Sequence, residues 1–201
     1  MSKKLGMCSS LITFISVLAY GVIILTISIS NHENIVNRGA FFTSIFIGLG
    51  FLGMIYSYFT FTKNEDKSSG FIALIISTIH AIVLIVIHYN QYFRTHIDII
   101  YFELFYTMKM FGYVLLSVAT LFIAFAFEAN NKKEQLLKLL LYIHCIFGLC
   151  FFVILIGMIL NINILQNNNY RLIIKIWCIY FSIICILSYI HFKNKSHWKQ
   201  T

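Results

Sequence analysis

The chain of 201 residues has no proline and only seven acidic residues, and charged side chains make up 11% of it. Average soluble domains carry about 25% charge and roughly 5% proline. So little charge, beside 60% hydrophobic residues, excludes an ordinary soluble domain and a disordered chain. Without proline, no helix here has a proline kink, and the discontinuous helices of transporters are often Gly/Pro-interrupted. Codon usage explains the absence equally well. The 36 isoleucines against 8 alanines are the bias of an AT-rich genome. Any kink then falls to glycine, at positions 48–53, 148 or 157.

Other absences remove whole chemistries. The five cysteines, Cys8, Cys145, Cys150, Cys178 and Cys185, contain no C-x-x-C pair, which argues against a thiol–disulfide oxidoreductase. No zinc-type pattern of closely spaced Cys and His and no H-E-x-x-H occurs, so no metal site is expected. The apolar stretches hold no Asp or Glu. That removes the usual carboxylate proton relay of coupled transporters and any carboxylate pair for hydrolysis.

What is present is long hydrophobic runs. A membrane-crossing helix needs about 20 mostly apolar residues. Six stretches qualify: 11–29, 41–61, 71–89, 108–127, 136–160 and 172–192. The expected fold class is therefore all-α, a polytopic transmembrane bundle of six spans with short loops, forming a single domain over 1–201. The first run exceeds the roughly 7–15 apolar residues of a signal peptide and reads as an uncleaved anchor. Between the third and fourth runs, the aromatic segment 97–107 carries only Asp98 and Glu103 as charges and reads as an interfacial helix at the outer headgroups.

Charge sets the expected orientation. With the N-terminus inside, the inner segments hold ten basic residues: Lys3, Lys4, Lys63, Lys67, Lys132, Lys133, Lys138, Lys193, Lys195 and Lys199. The outer ones hold five: Arg38, Arg94, Lys109, Arg171 and Lys175. Both termini are expected in the cytoplasm. The net charge of +8 is then an orientation signal, and no loop is long enough for a nucleic-acid surface or a soluble catalytic domain. The expected partner is the lipid bilayer, with a second copy or another membrane protein as further options.

Within the runs, polar residues form stripes. Gly48-Leu-Gly50-Phe-Leu-Gly53 matches G-x-G-x-x-G, but it lies mid-span, away from the strand–helix setting a dinucleotide site requires. With Thr43, Ser57 and Thr60 it makes a small-residue face, so Gly50, Gly53 and Ser57 read as a helix-packing seam. On the third run Ala73, Ser77, His80, Leu84, His88 and Gln91 follow one helical face. An ionisable group at mid-span, here His80, is a functional hypothesis by default. Tyr113, Ser117 and Thr120 make a second stripe on the fourth run. The first (Thr13, Ser16, Tyr20) and the sixth (Lys175, Cys178, Ser182, Cys185, Tyr189) carry others. These stripes serve either as interhelical glue or as the lining of a narrow polar cavity. His144 stands at a depth similar to that of His80, so one bis-histidine haem is an alternative.

Two segments, Ala73-Leu-Ile-Ile-Ser-Thr-Ile-His80 continuing to His88-Tyr89-Asn-Gln91, and Met108-Lys-Met-Phe-Gly112-Tyr113 continuing to Phe122, carry a resemblance. It is to small six-span membrane proteins of low-GC bacteria, a group without an assigned activity. This chain lacks the group's proline after the second span and has Lys109 near an acidic position. The resemblance implies a bacterial cytoplasmic membrane, and it nominates Gln91, Gly112 and Tyr113. The leading expectation is a non-enzymatic bundle that binds or passes a small neutral or lipophilic molecule through Ser77, His80, His88, Gln91, Tyr113, Ser117 and Thr120, with no cofactor. The alternatives are a haem redox protein using His80 and His144, and a sensor or immunity-type protein whose glycine-lined second span meets a partner helix.

Overall fold

The computed structural model describes residues 2–29, 33–93, 99–160 and 169–195. They form six long helices: α1 (Ser2–Ile29), α2 (Glu33–Phe61), α3 (Lys67–Phe93), α4 (Ile99–Ala126), α5 (Lys132–Ile159) and α6 (Asn169–Asn194), with a single 3₁₀ turn at Asn64–Asp66. All six are long and apolar enough to cross a membrane. Helices are what such a composition must form, because hydrocarbon offers backbone N–H and C=O groups no partner outside the segment. A helix of 28 residues, the length of α5, spans about 42 Å at roughly 1.5 Å per residue, more than the ~30 Å hydrocarbon core. The helices therefore run past the apolar runs into the headgroup region.

That overrun changes the reading of 97–107. From Ile99 onward this segment is continuous with the fourth span in α4. It is the opening turns of that helix rather than a separate one, and residues 97 and 98 lie outside the described residues. Helix α5 likewise begins before its apolar run, at Lys132, so Glu134 sits in its first turn. Asn131 caps that turn: its side chain accepts from the Glu134 N–H at 3.0 Å, while the Glu134 carboxylate accepts from the Asn130 N–H at 2.8 Å. This resembles a capping box, with the carboxylate taking the N–H of the residue before the cap.

Each helix packs against its neighbours in sequence, and α6 closes the ring on α1. The start of α1 and the end of α6 meet where Gly6 faces the Phe192 ring, and we refer to this as the terminal end. The outer surface is apolar, with Val22, Leu149 and Ile179 more than 60% exposed, as lipid contact requires. The interior is aromatic: Tyr20, Phe51, Phe151, Trp177 and Phe181 are all sealed from solvent.

Two kinds of seam set the spacing of the ring. On α2, Gly50 and Gly53 face α1. A Cβ on Gly50 would stand 2.5 Å from Thr13 Oγ1 and 3.2 Å from the Ser9 carbonyl oxygen, and one on Gly53 would meet the Ser9 side chain. Only residues without side chains permit that approach. Gly48 of the same motif faces α3 instead, toward Ala81 and Leu84. Ser57 is buried and returns its hydroxyl to the Gly53 carbonyl at 2.8 Å. Thr60, expected on the same face, is exposed. The face offered by sequence as a meeting place for a partner helix is thus covered by α1 of the same chain. Between α5 and α6 the opposite holds. His144, Phe147, Trp177 and Tyr180 fill the space between them, with ring centres 5.0–6.5 Å apart, and these two helices are the least closely packed neighbours of the ring.

Candidate functional site

The buried face of α3 is the stripe read from the sequence: Ala73, Ser77, His80, Leu84 and His88 are all sealed. Gln91 lies in the last turn of α3, and its side chain is outside the described residues. Ser77 spends its hydroxyl on the Leu74 carbonyl at 2.9 Å. His80, 1% exposed, places Nδ1 2.8 Å from the Gly112 carbonyl oxygen on α4. A Cβ at Gly112 would make ordinary contact there, 3.7 Å from that same nitrogen, so the approach does not itself require a glycine. A carbonyl only accepts, so Nδ1 carries the proton and Nε2 is left as a bare acceptor. Nε2 is buried and has no hydrogen-bond partner among the described residues. The Phe51 ring meets the imidazole edge-on at 5.8 Å.

The fourth-helix stripe diverges from His80. Tyr113 turns toward the opposite side of the ring of helices, donating to the Tyr20 hydroxyl of α1 at 2.9 Å. It stacks on Phe151 at 4.7 Å and meets Trp177 at 5.0 Å. The ammonium of Lys109 stands 5.1 Å over the Tyr20 ring, a cation–π contact that compensates a half-buried charge. Sequence reasoning placed Lys109 only as a flanking charge. Ser117 packs on α5, where a Cβ on Gly148 would stand 2.7 Å from its own Cβ. Its buried hydroxyl, like that of Ser10, has no partner among the described residues.

His144 is the best-held imidazole in the bundle. Thr120 gives its one hydroxyl proton to the Ser117 carbonyl at 2.7 Å, so it must accept from His144 Nδ1, also at 2.7 Å. The indole N–H of Trp177 donates to His144 Nε2 at 2.9 Å. Both ring nitrogens are used, and the tautomer is Nδ1–H. Phe51 touches Phe181 at 5.9 Å, and Phe181 touches His144 at 5.2 Å. His80 and His144 are therefore joined by a chain of phenyl rings. Of these two histidines only His80 would offer a haem iron a free nitrogen, and the iron would have to displace Trp177 or Thr120 to gain the second. Among the described residues, no group of three His, Cys, Asp or Glu side chains could hold a metal ion.

A second polar cluster, which the sequence reading did not assemble, lies at the terminal end. Glu134 of α5 meets His191 Nδ1 of α6 at 2.8 Å. The imidazole stacks on Tyr58 at 5.7 Å, and the Tyr58 hydroxyl donates to Ser188 at 2.8 Å. One signal was available: Asn131 followed three residues later by Glu134 is a helix-start signature, and it extends the fifth helix to the depth of His191. No family model, curated protein or solved structure matches the chain.

Proposed function

We propose that the protein is a non-enzymatic six-helix bundle of a bacterial cytoplasmic membrane that binds or passes a small neutral molecule, with His80 as its hydrogen-bonding group. The observation that carries this reading is the bare Nε2 of His80, buried and unanswered at mid-span. An unsatisfied buried polar atom costs about 1–3 kcal/mol. A guest that donates a hydrogen bond, such as a hydroxyl or an amide N–H, removes that cost. Ser77 and Thr120 keep their hydroxyls on backbone carbonyls, so neither has a proton to offer such a guest. The haem alternative is the weaker reading, because His144 has no nitrogen to spare. The resemblance carried by residues 73–91 and 108–122 supplies the bacterial setting.

The test is mass spectrometry of the purified protein beside its thermal stability. A small molecule should co-purify with the parent chain and be lost from His80→Leu. If none co-purifies and His80→Leu is at least as stable as the parent, the nitrogen is an empty defect and the reading fails. The same sample tests the alternative: a Soret band after expression with added haem would replace the proposal with a haem protein.

The distribution of lysine supports a cytoplasmic position for both termini. Lys3, Lys4, Lys63, Lys67, Lys132, Lys133, Lys193 and Lys195 all belong to the terminal end or the turns beside it. A reporter enzyme active only outside the cell should be silent when fused to the C-terminus. An active fusion would reverse the orientation.

A further inference from the structure

The aromatic seam between α5 and α6 ends before the terminal end is reached. Tyr180, its last large side chain on α6, bonds the Leu140 carbonyl of α5 at 2.6 Å. Beyond it the two helices enclose a recess of about 320 Å³. Its floor is apolar, made by Leu137, Leu187 and Ile190, and its rim carries Lys132 and Lys133. His191 lines it as well. The imidazole side chain is only 2% exposed and gives Nδ1 to Glu134, which leaves Nε2 as its one remaining hydrogen-bonding atom. A neighbouring recess of about 20 Å³, also lined by His191, has room for about one water.

We propose that the larger recess binds an anionic phospholipid whose headgroup carries hydroxyls, of the phosphatidylglycerol type. Three features of the recess match three parts of that molecule. The two lysines face the phosphodiester. The remaining imidazole nitrogen accepts from a headgroup hydroxyl. The leucine and isoleucine floor takes the start of an acyl chain, and it is continuous with the lipid-facing Leu136, Leu139 and Ile186. Glu134 keeps its negative charge, but Lys132 and Lys133 outnumber it in the lining, and its two oxygens are held by His191 and by the Asn130 N–H. The location is at headgroup depth, where basic pockets between helices bind anionic lipid. This site is separate from the one at His80, and either can fail without the other.

Full-length protein in detergent, titrated with short-chain phosphatidylglycerol and followed by melting temperature, tests the proposal. Phosphatidylglycerol should bind at least about tenfold more tightly than phosphatidylcholine, and Lys132→Gln with Lys133→Gln should remove that preference. Lys3→Gln with Lys4→Gln, an equal loss of charge at the same end, should preserve it. Equal binding of the two lipids overturns the proposal, as does an equal effect of the two double variants. Inorganic phosphate should give no shift. A phosphate shift matching that of the lipid would make the site one for a free anion and overturn the lipid assignment.

Discussion

Gly50→Leu should be one of the two most damaging single substitutions in the membrane-embedded part of this protein. Its Cβ alone would lie 2.5 Å from Thr13 Oγ1 and 3.1 Å from the Thr13 backbone nitrogen. The hydroxyl cannot rotate away freely, because it is bonded to the Ser9 carbonyl at 2.8 Å. Helix α1 must therefore retreat, and the seam opens along Ser9 and Gly53 as well. Overpacking of a tight core costs about 1–3 kcal/mol, occasionally more, and a leucine at a backbone contact belongs at the upper limit. The expected result is little or no monodisperse protein after extraction. Gly50→Ala should fold with a lowered melting temperature, and Thr13→Ala should restore part of the loss by removing the nearest atom. Leu49→Ala, one residue away on the lipid-facing surface, should be near neutral. A Gly50→Leu protein as stable as its parent would mean that α1 and α2 do not meet at this seam.

Trp177→Ala carries the second large effect. Trp177 is fully buried and packs against Tyr113, Phe151 and Phe181 at ring separations of 5.0–6.5 Å. Inside a bilayer, little water is displaced when helices meet. What the truncation loses is dispersion contact and one hydrogen bond. Large-to-small aromatic changes cost about 3–5 kcal/mol, and the unpaired His144 Nε2 adds to this. For a chain of this size the melting temperature should fall by roughly 6–12 °C or more. Trp177→Phe separates the two contributions, since it keeps most of the ring packing and removes only the N–H. Its loss should be about 1–2 kcal/mol. Equal losses in the two variants would show that the hydrogen bond, not the packing, holds this layer. A change of only a degree or two in Trp177→Ala would contradict a close-packed interior.

Much of this architecture was legible in the chain because it depends on local periodicity. The six apolar runs became six helices. The stripe from Ala73 to His88 became the buried face of α3, since a period of three and four residues places those side chains on one side of any helix. The glycine motif was legible as a seam, though not as a double one. Gly48 faces α3 while Gly50 and Gly53 face α1, because α2 lies between them. Helix ends were less legible. Hydropathy stops where polar residues begin, whereas hydrogen bonding continues into the headgroup region. That is how residues from Ile99 joined α4 and Glu134 joined α5.

The sequence by itself determined the solvent this protein lives in, the number of its helices, the buried face of most of them and the end that gathers its lysines. Each follows from composition or from spacing within one helix. Only the tertiary structure decided the partnerships. His80 and His144 look alike in the chain, two histidines at similar depth in apolar helices. One has both nitrogens bonded by Thr120 and Trp177, and the other keeps a nitrogen bare beside Phe51. The pairing of Glu134 with His191 likewise joins residues 57 positions apart. Such contacts depend on which helices are neighbours and at what rotation and depth they meet. Those are properties of the assembled ring, and no single helix encodes them.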